Sequence, residues 1–296
     1  MPSKILVTGA AGLLGSDLTA YFSEKYDVYP AGREDFDIRD FAAADRIFTK
    51  FEPDIVLHAA ALADVDKCEA DEELAYGVNA AGTENVARLC HDYRVRMIYY
   101  STDYVFDGNS SRPYTENDPT NPINIYGRSK LEGETRVLSL LDGAVVLRIA
   151  WLYSTGKRAF INKLIMTGRK YMDEKKARKN PDPIKVAADQ IGSPTWTMEI
   201  ARQTEVVIKN NLKGIFHCAA GGECSRYEMA RILFEHLGGD VALSGCTRSD
   251  FPWRAPRPEF TSLENRNLEK LGLNIMKNYR EALKEFLNRR GGDRGD

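Results

Sequence analysis

Tyrosine and lysine four residues apart share one face of a helix, and this sequence carries that spacing at Tyr21/Lys25, Tyr126/Lys130, Tyr153/Lys157 and Tyr171/Lys175. A phenol is by itself a weak acid, with a pKa near ~10. An adjacent ammonium favours the phenolate and draws that value toward neutral pH. Such a pair suits the reduction of a ketone, where hydride arrival leaves negative charge on the carbonyl oxygen and a positioned acid must protonate it. Position has to choose among the four pairs. The first follows a glycine-rich turn on a helix, with its tyrosine expected in packing, and the third and fourth are expected in or near loops. Tyr126/Lys130 opens the helix after a strand whose carboxyl end carries Ser101-Thr102-Asp103, and ligands of open α/β sheets bind outside such ends. Tyr126 is therefore the expected proton donor, Lys130 the group that tunes it, and Thr102 a hydrogen-bond donor to the carbonyl oxygen. A surface helix pair is the bland alternative for Tyr126 and Lys130.

A hydride source is readable near the N-terminus. Thr8-Gly9-Ala10-Ala11-Gly12-Leu13-Leu14-Gly15 follows an apolar strand and opens a helix, the context in which a glycine pattern points to a dinucleotide. Gly9 allows the tight turn, Gly12 the approach of backbone to a pyrophosphate, and Gly15 close helix packing, while the amides of the helix start, at Leu13 and Leu14, favour the anion. Ala59, Ala60 and Ala61, after the third strand, are expected to line the same cofactor, and Lys130 to hold its nicotinamide ribose. Selectivity for NAD usually rests on an acidic residue after the second strand. Here that strand ends in Ala31-Gly32-Arg33, so Arg33 is expected to meet a 2′-phosphate, with Asp37 and Ile38 beside the adenine. NADPH is the expected cofactor and NADH the alternative.

The elements that must hold these residues alternate strand and helix. Strands are expected at 5–7, from 27, at 54–58, 97–100 and 144–148, with helices over 12–25, 41–51, 71–91 and 125–140. Strands this continuously apolar have no wet face, so the fold class is α/β, a Rossmann doubly wound parallel sheet covered on both sides. Residues 1–150 form the NAD(P)-binding domain, with some later segments returning to it. Residues 151–288 are mainly a smaller, discontinuous C-terminal α/β substrate lobe, with strands at 184–186 and 214–217 and helices over 197–210, 225–237 and 279–287. The charge-rich stretch 169–183 reads as a surface loop or lid, 251–260 as extended chain, and 289–296 as a disordered tail.

A net charge of -2 on 296 residues argues against nucleic-acid binding, which needs a basic surface. No secretory pattern or membrane-length apolar run is visible, and the five scattered cysteines read as reduced thiols, so a cytoplasmic location is expected. The four histidines are too dispersed for a zinc site.

With these motifs placed, the sequence resembles the extended short-chain dehydrogenase/reductases, and among them the dTDP-4-dehydrorhamnose reductase family, over nearly its whole length. The blocks that carry the likeness are Thr8 to Gly15, Asp64 to Glu69, Asn79-Ala80, Ser101 to Gly108, Tyr126 to Lys130, Arg148 to Tyr153 and Asp189 to Trp196. The resemblance implies Thr102, Tyr126 and Lys130 as catalytic residues and a nucleotide-sugar substrate between two lobes. It places Asp103, Val105, Trp151 and Gln190 near the sugar and Arg257 at the diphosphate. It also implies a homodimer; a magnesium ion is used by some members, but no ligands for one are identified here. Departures fall on the substrate side: Arg226 stands where an aromatic residue is usual, Trp253-Arg254 where Arg-Pro is commoner, Ala159 where asparagine is common, and 169–183 is longer than usual. Two rivals follow, an NADP-binding regulatory subunit of a methionine adenosyltransferase and a reductase of another nucleotide-linked keto-sugar.

Overall fold

The computed structural model describes residues 3–155, 160–238 and 240–292. Its centre is a six-stranded sheet, all of whose neighbours run parallel. The strands are β1 (Lys4–Thr8), β2 (Asp27–Ala31), β3 (Ile55–His58), β4 (Arg96–Thr102) and β5 (Val145–Ile149), with short pieces β6 (Leu152–Tyr153), β7 (Ile184–Ala187), β8 (Ile191–Gly192) and β9 (Thr195–Trp196) before β10 (Gly214–His217). The spatial order is β10-β5-β4-β3-β1-β2. Chain connections leave β1 toward β2 on one side and β3 on the other. That reversal opens a crevice outside the carboxyl ends of β1 and β3, the place where open parallel sheets bind ligands.

Alternate residues of each strand serve opposite layers. Ile5 and Val7 pack with Leu14, Leu18 and Phe22 of α1 (Leu13–Ser23) and with Ile200 and Val207. Leu6 faces the other way, toward Phe48 of α2 (Phe41–Phe51) and a layer holding Val86, Leu89 and Val137. The expected helix over 71–91 is present as one continuous helical run, Glu72 to Asp92, with a π-helical turn inside it. Asp64 caps α3 (Val65–Ala70) and Asp71 caps α4 (Glu72–Tyr76) by accepting from the backbone amides of Lys67 and Leu74. A π-helical turn, Gly77–Gly82, then leads into α5 (Thr83–Asp92). The Asp71 cap marks the start that the sequence led us to expect, and the Asp64 cap starts a short preceding helix that it did not. The widened turn carries Asn79 inward, a common use of π-helical turns at functional sites.

Beyond α6 (Ile125–Leu140), α7 (Phe160–Lys176) continues through much of the stretch expected as a loop. Its apolar residues Ile161, Leu164, Ile165 and Tyr171 are buried, and this seam, not the surface charges, decides the local structure. Tyr171/Lys175 therefore lies on a helix, whereas Lys157 and Ala159 fall outside the described residues. After α8 (Thr197–Lys209), which packs on the same face as α1, come β11 (Cys224–Ser225), α9 (Arg226–His236), β12 (Leu243–Cys246), α10 (Arg266–Lys270) and α11 (Tyr279–Gly292). α11 runs through Gly292, so the expected disorder from 289 is overturned as far as that residue; 293–296 lie outside the described residues. A third apolar cluster joins Leu164, Leu233, Phe234, Leu283 and Phe286, and β12 pairs with β7 beside it.

One buried ion pair ties these parts together. Arg148 of β5 meets Glu134 of α6, Nη2 to Oε2 at 2.7 Å, with both side chains nearly inaccessible, and Ser101 of β4 donates to the same carboxylate. Removing one partner of such a pair leaves a buried charge uncompensated and costs about 3–5 kcal/mol. Glu134→Ala should accordingly lower the urea unfolding free energy by that order; a loss under ~1 kcal/mol would show that water or relaxation satisfies Arg148.

Candidate active site

The crevice at β1 and β3 is a cavity of about 340 Å³. Gly9, Gly12, Arg33, Asp37, Ile38, Ala59, Ala60 and Ala61 all line it, as the sequence led us to expect. Gly9 has φ +69° and lies so close to Ala60 that a Cβ would come within 2.7 Å of its backbone. No L-residue with a side chain fits there without strain. The N-terminus of α1, capped by Gly12 without any side chain in the way, leaves its amides open to an anion. Leu14 is in the core and Leu13 packs against the third cluster, so these two offer backbone amides only.

Sequence reasoning missed part of this wall. Phe36, Leu62, Lys67, Leu74 and Val78 complete the lining, the last two from the helix over 71–91 and its π-helical turn. Arg39 was also missed. It grips Asp37 through Nη2 and Nε at 2.6–3.1 Å, and that contact holds the Asp37 carboxyl down to a pKa of about 2. Arg33 stays largely exposed, 3.9 Å from the same carboxylate. Glu34 and Asp35 also stand at Gly32, so the adenosine end mixes two guanidiniums with three carboxylates, and the exposed Arg33 is the group open to a 2′-phosphate. The cavity, its glycine approach and the exposed Arg33 fit a dinucleotide phosphate.

The second constellation is set by the start of α6. Asn124 caps the helix by accepting from the Gly127 amide at 2.8 Å and donates to the carbonyl of Pro256. Glu69 accepts from the Ile125 amide. A Cβ on Gly127 would fall 2.1 Å from the Tyr104 carbonyl oxygen, so only glycine lets the helix sit this close to the turn after β4. That turn is a single 3₁₀ segment, Asp103–Val105, in which the Thr102 hydroxyl accepts from the Tyr104 amide and donates to Asp103. Asn79 closes the other side. It accepts from the Leu62 amide and donates to the Leu62 carbonyl and to Ser129, whose hydroxyl in turn donates to the Tyr126 carbonyl.

Tyr126 packs on the small cluster of Cys68, Ala75 and Ile125, on which Leu62 of the first cavity's wall also packs, and its ring meets Tyr104 edge-on at 5.8 Å. Tyr104 lines a second cavity of about 240 Å³ together with Gln190, Arg226, Phe251, Trp253 and Arg257. Burial pushes the Tyr126 phenol above its ordinary pKa, the Thr102 hydroxyl pulls the other way, and the Asp103 carboxylate raises it further. Lys130 does not point its charge at the phenol. Its ammonium donates to the Tyr100 carbonyl at 2.7 Å and lies 4.1 Å from the centre of the Tyr99 ring. Burial lowers its pKa to about 7, against the attraction of Glu134.

On the other side of Thr102, burial raises the Asp103 carboxyl to about 6 while Thr261, Thr102 and Arg226 oppose the rise. Trp151 has φ 43°, a left-handed backbone uncommon for a bulky side chain and often found where function demands it. Its indole donates to Thr261. Gln190 and Arg257 reach the second cavity, and Arg257 also pairs with Asp66 at 3.0 Å. Val105 does not reach it. Its side chain is fully buried with Phe106 and Tyr114. Phe160 and Phe251 were missed because nothing in their spacing sets them apart from core residues.

Residues 3–291 match the family of the RmlD substrate binding domain. The chain belongs to that family. Its relatives in the RmlD family include a dTDP-4-keto-6-deoxy-D-glucose reductase of Streptomyces niveus, 35% identical over 96% of this chain and 96% of the relative. A dTDP-4-dehydrorhamnose reductase of Mycobacterium tuberculosis is 36% identical over 95% and 91%. The solved dTDP-4-dehydrorhamnose reductase of Bacillus anthracis, in complex with NADP, superposes with a TM-score of 0.91 at 32% identity, covering 98% of this chain and 100% of that one.

For this RmlD-family chain the buried lysine sets a pH test. The Lys130 pKa falls from 10.5 unfolded to about 7 folded, so the unfolded state binds more protons between those values. The burial penalty is complete below about pH 7 and fades as pH rises toward 10.5. Lys130→Met should make the protein free of nucleotide more stable at pH 7 by about 1 kcal/mol or more, since each pKa unit is worth about 1.4 kcal/mol. That advantage should shrink as the pH is raised to about 10, followed by thermal unfolding. A constant offset would mean that the ammonium is not desolvated.

Proposed function

We propose that this protein is an NAD(P)H-dependent oxidoreductase that reduces the 4-keto group of dTDP-4-dehydro-L-rhamnose to give dTDP-L-rhamnose, with NADPH preferred. The observation that carries this reading is Tyr126, whose phenol is met by the Thr102 hydroxyl and whose ring meets Tyr104 in the wall of a cavity lined by aromatic and guanidinium groups, in a fold that also holds a dinucleotide-type cavity. The names of the relatives, reductases of dTDP-linked 4-keto sugars, supply the substrate class.

Bound NADPH supplies the hydride. Tyr126 gives its proton to the sugar O4 as charge develops there, and Thr102, whose hydroxyl acts on the same phenol, orients the carbonyl. The apolar surroundings that raise the phenol's pKa keep it protonated until the oxygen becomes basic. Lys130, anchored at the Tyr100 carbonyl, would hold the nicotinamide ribose when the cofactor is bound. Asp103 and Trp151 bound the sugar, and Arg257 meets the diphosphate with a charge-assisted fork. The chain is expected to work as a homodimer in the cytoplasm. Among the described residues no helix is long and apolar enough to cross a membrane.

A second reading, reduction of the related dTDP-4-keto-6-deoxy-D-glucose, is favoured by the Streptomyces niveus relative and by Arg226, which alters the substrate side. Tyr126→Phe should cut turnover of either sugar by roughly a hundred- to ten-thousand-fold while NADPH affinity stays within about twofold. Turnover and NADPH titration measure the two sides of this, and unimpaired turnover would remove Tyr126 from the chemistry.

A further inference from the structure

We infer that Arg226 is a second arm for the substrate's diphosphate, opposite Arg257, and so a residue that sets specificity. This rests on the nucleotide-sugar reading above. Arg226 is the first residue of α9, placed there by its amide, which donates to the Gln190 carbonyl, and by the Ser225 cap. Its guanidinium lies flat over the Trp151 ring, 3.5 Å from the centroid, and 4.7 Å from that of Phe160. Two aromatic faces fix the plane and leave the N–H edges as the only part that can meet a ligand. Among the described residues that guanidinium makes no hydrogen bond or ion pair. A cation held by rings in a cavity is desolvated on its faces and, among the described residues, has no direct ion-pair partner.

The same cavity is lined by Arg257, whose Nη1 is buried without a partner while its Nη2 goes to Asp66. Burial holds the Arg226 pKa below its ordinary value, with a smaller repulsion from Arg257, while Tyr104 and Asp103 pull the other way. Asp103 is close enough to offset part of that cost, yet its own carboxyl resists ionisation. Folding this chain therefore concentrates positive charge in a small cavity beside the catalytic turn. A ligand with two adjacent anionic groups relieves the repulsion. A nucleoside diphosphate has that chemistry, and two planar forks on opposite walls match its two phosphates. Where an aromatic residue stands at this position, the wall offers a stacking surface; in this chain Arg226 itself covers the Trp151 face, exchanging stacking for charge.

The test is calorimetric binding of dTDP and of thymidine to the NADPH-loaded protein, comparing native, Arg226→Phe and Arg226→Lys forms. Arg226→Phe should weaken dTDP by about 10- to 100-fold, the loss of one or two charge-assisted contacts at about 1.4 kcal/mol per tenfold. Arg226→Lys should recover part of that, and the thymidine and NADPH affinities and the melting temperature should stay as in the native protein. Unchanged dTDP binding by Arg226→Phe would overturn the inference, as would an equal loss for thymidine, which marks general damage to the cavity. If the native protein binds NADPH but neither dTDP nor UDP nor GDP, the nucleotide-sugar reading itself fails and this inference falls with it.

Discussion

The close seating of α6 on the turn after β4 is the contact on which the remaining geometry depends. At Gly127 the helix backbone approaches the Tyr104 carbonyl to a distance that leaves no room for a Cβ. From that one contact follow three placements: Tyr126 beside Thr102, Lys130 one turn on over the Tyr99 ring, and Glu134 another turn on against Arg148. The cap at Asn124 and the clamp from Asn79 hold the first turn from both ends. A π-helical turn is a costly piece of helix, and its use here is intelligible because it carries Asn79 to where Leu62 and Ser129 both need it. The core of the sheet and the reacting groups are thus parts of one packed unit.

Electrostatics divide the cleft. Near the adenosine end, Arg33 and Arg39 face Asp37; near the sugar end, Arg226 and Arg257 face Asp103 and Asp66. Between them lies a stretch where burial, not a charge partner, dominates each titrating group, with Tyr126 raised, Asp103 raised and Lys130 lowered. Each shift favours the neutral form. A site of this kind is poised to respond when a ligand brings charge and excludes water, because interactions are stronger in a dry environment.

Much of this was legible in the sequence, and the exceptions have physical causes. The glycine turn and the position of Tyr126 after the fourth strand were readable because turn chemistry and strand periodicity are local. The central strands, buried on both faces, announce themselves as apolar runs such as Ile5-Leu6-Val7. The start of the helix at Asp71 was readable, whereas the π-helical turn at Gly77–Gly82 was not, because a one-residue widening leaves the apolar periodicity almost unchanged. The helix over Phe160–Lys176 was hidden by its charged outer face, and its buried seam becomes visible only against Leu233 and Phe234. Lys130 was correctly placed but wrongly aimed: spacing brings it to the right face of the helix, while the Tyr100 carbonyl, contributed by a distant strand, decides where the ammonium points. Arg226 could be noticed as a departure, yet its stacking on Trp151 depends on a tertiary contact that no local pattern encodes.

The most direct measurement is transfer of label from NADPH deuterated at C4 of the nicotinamide to dTDP-4-dehydro-L-rhamnose, with the product read by NMR. Deuterium at C4 of a dTDP-L-rhamnose product is the predicted result. An intact keto sugar after prolonged incubation with tightly bound NADPH would contradict the account.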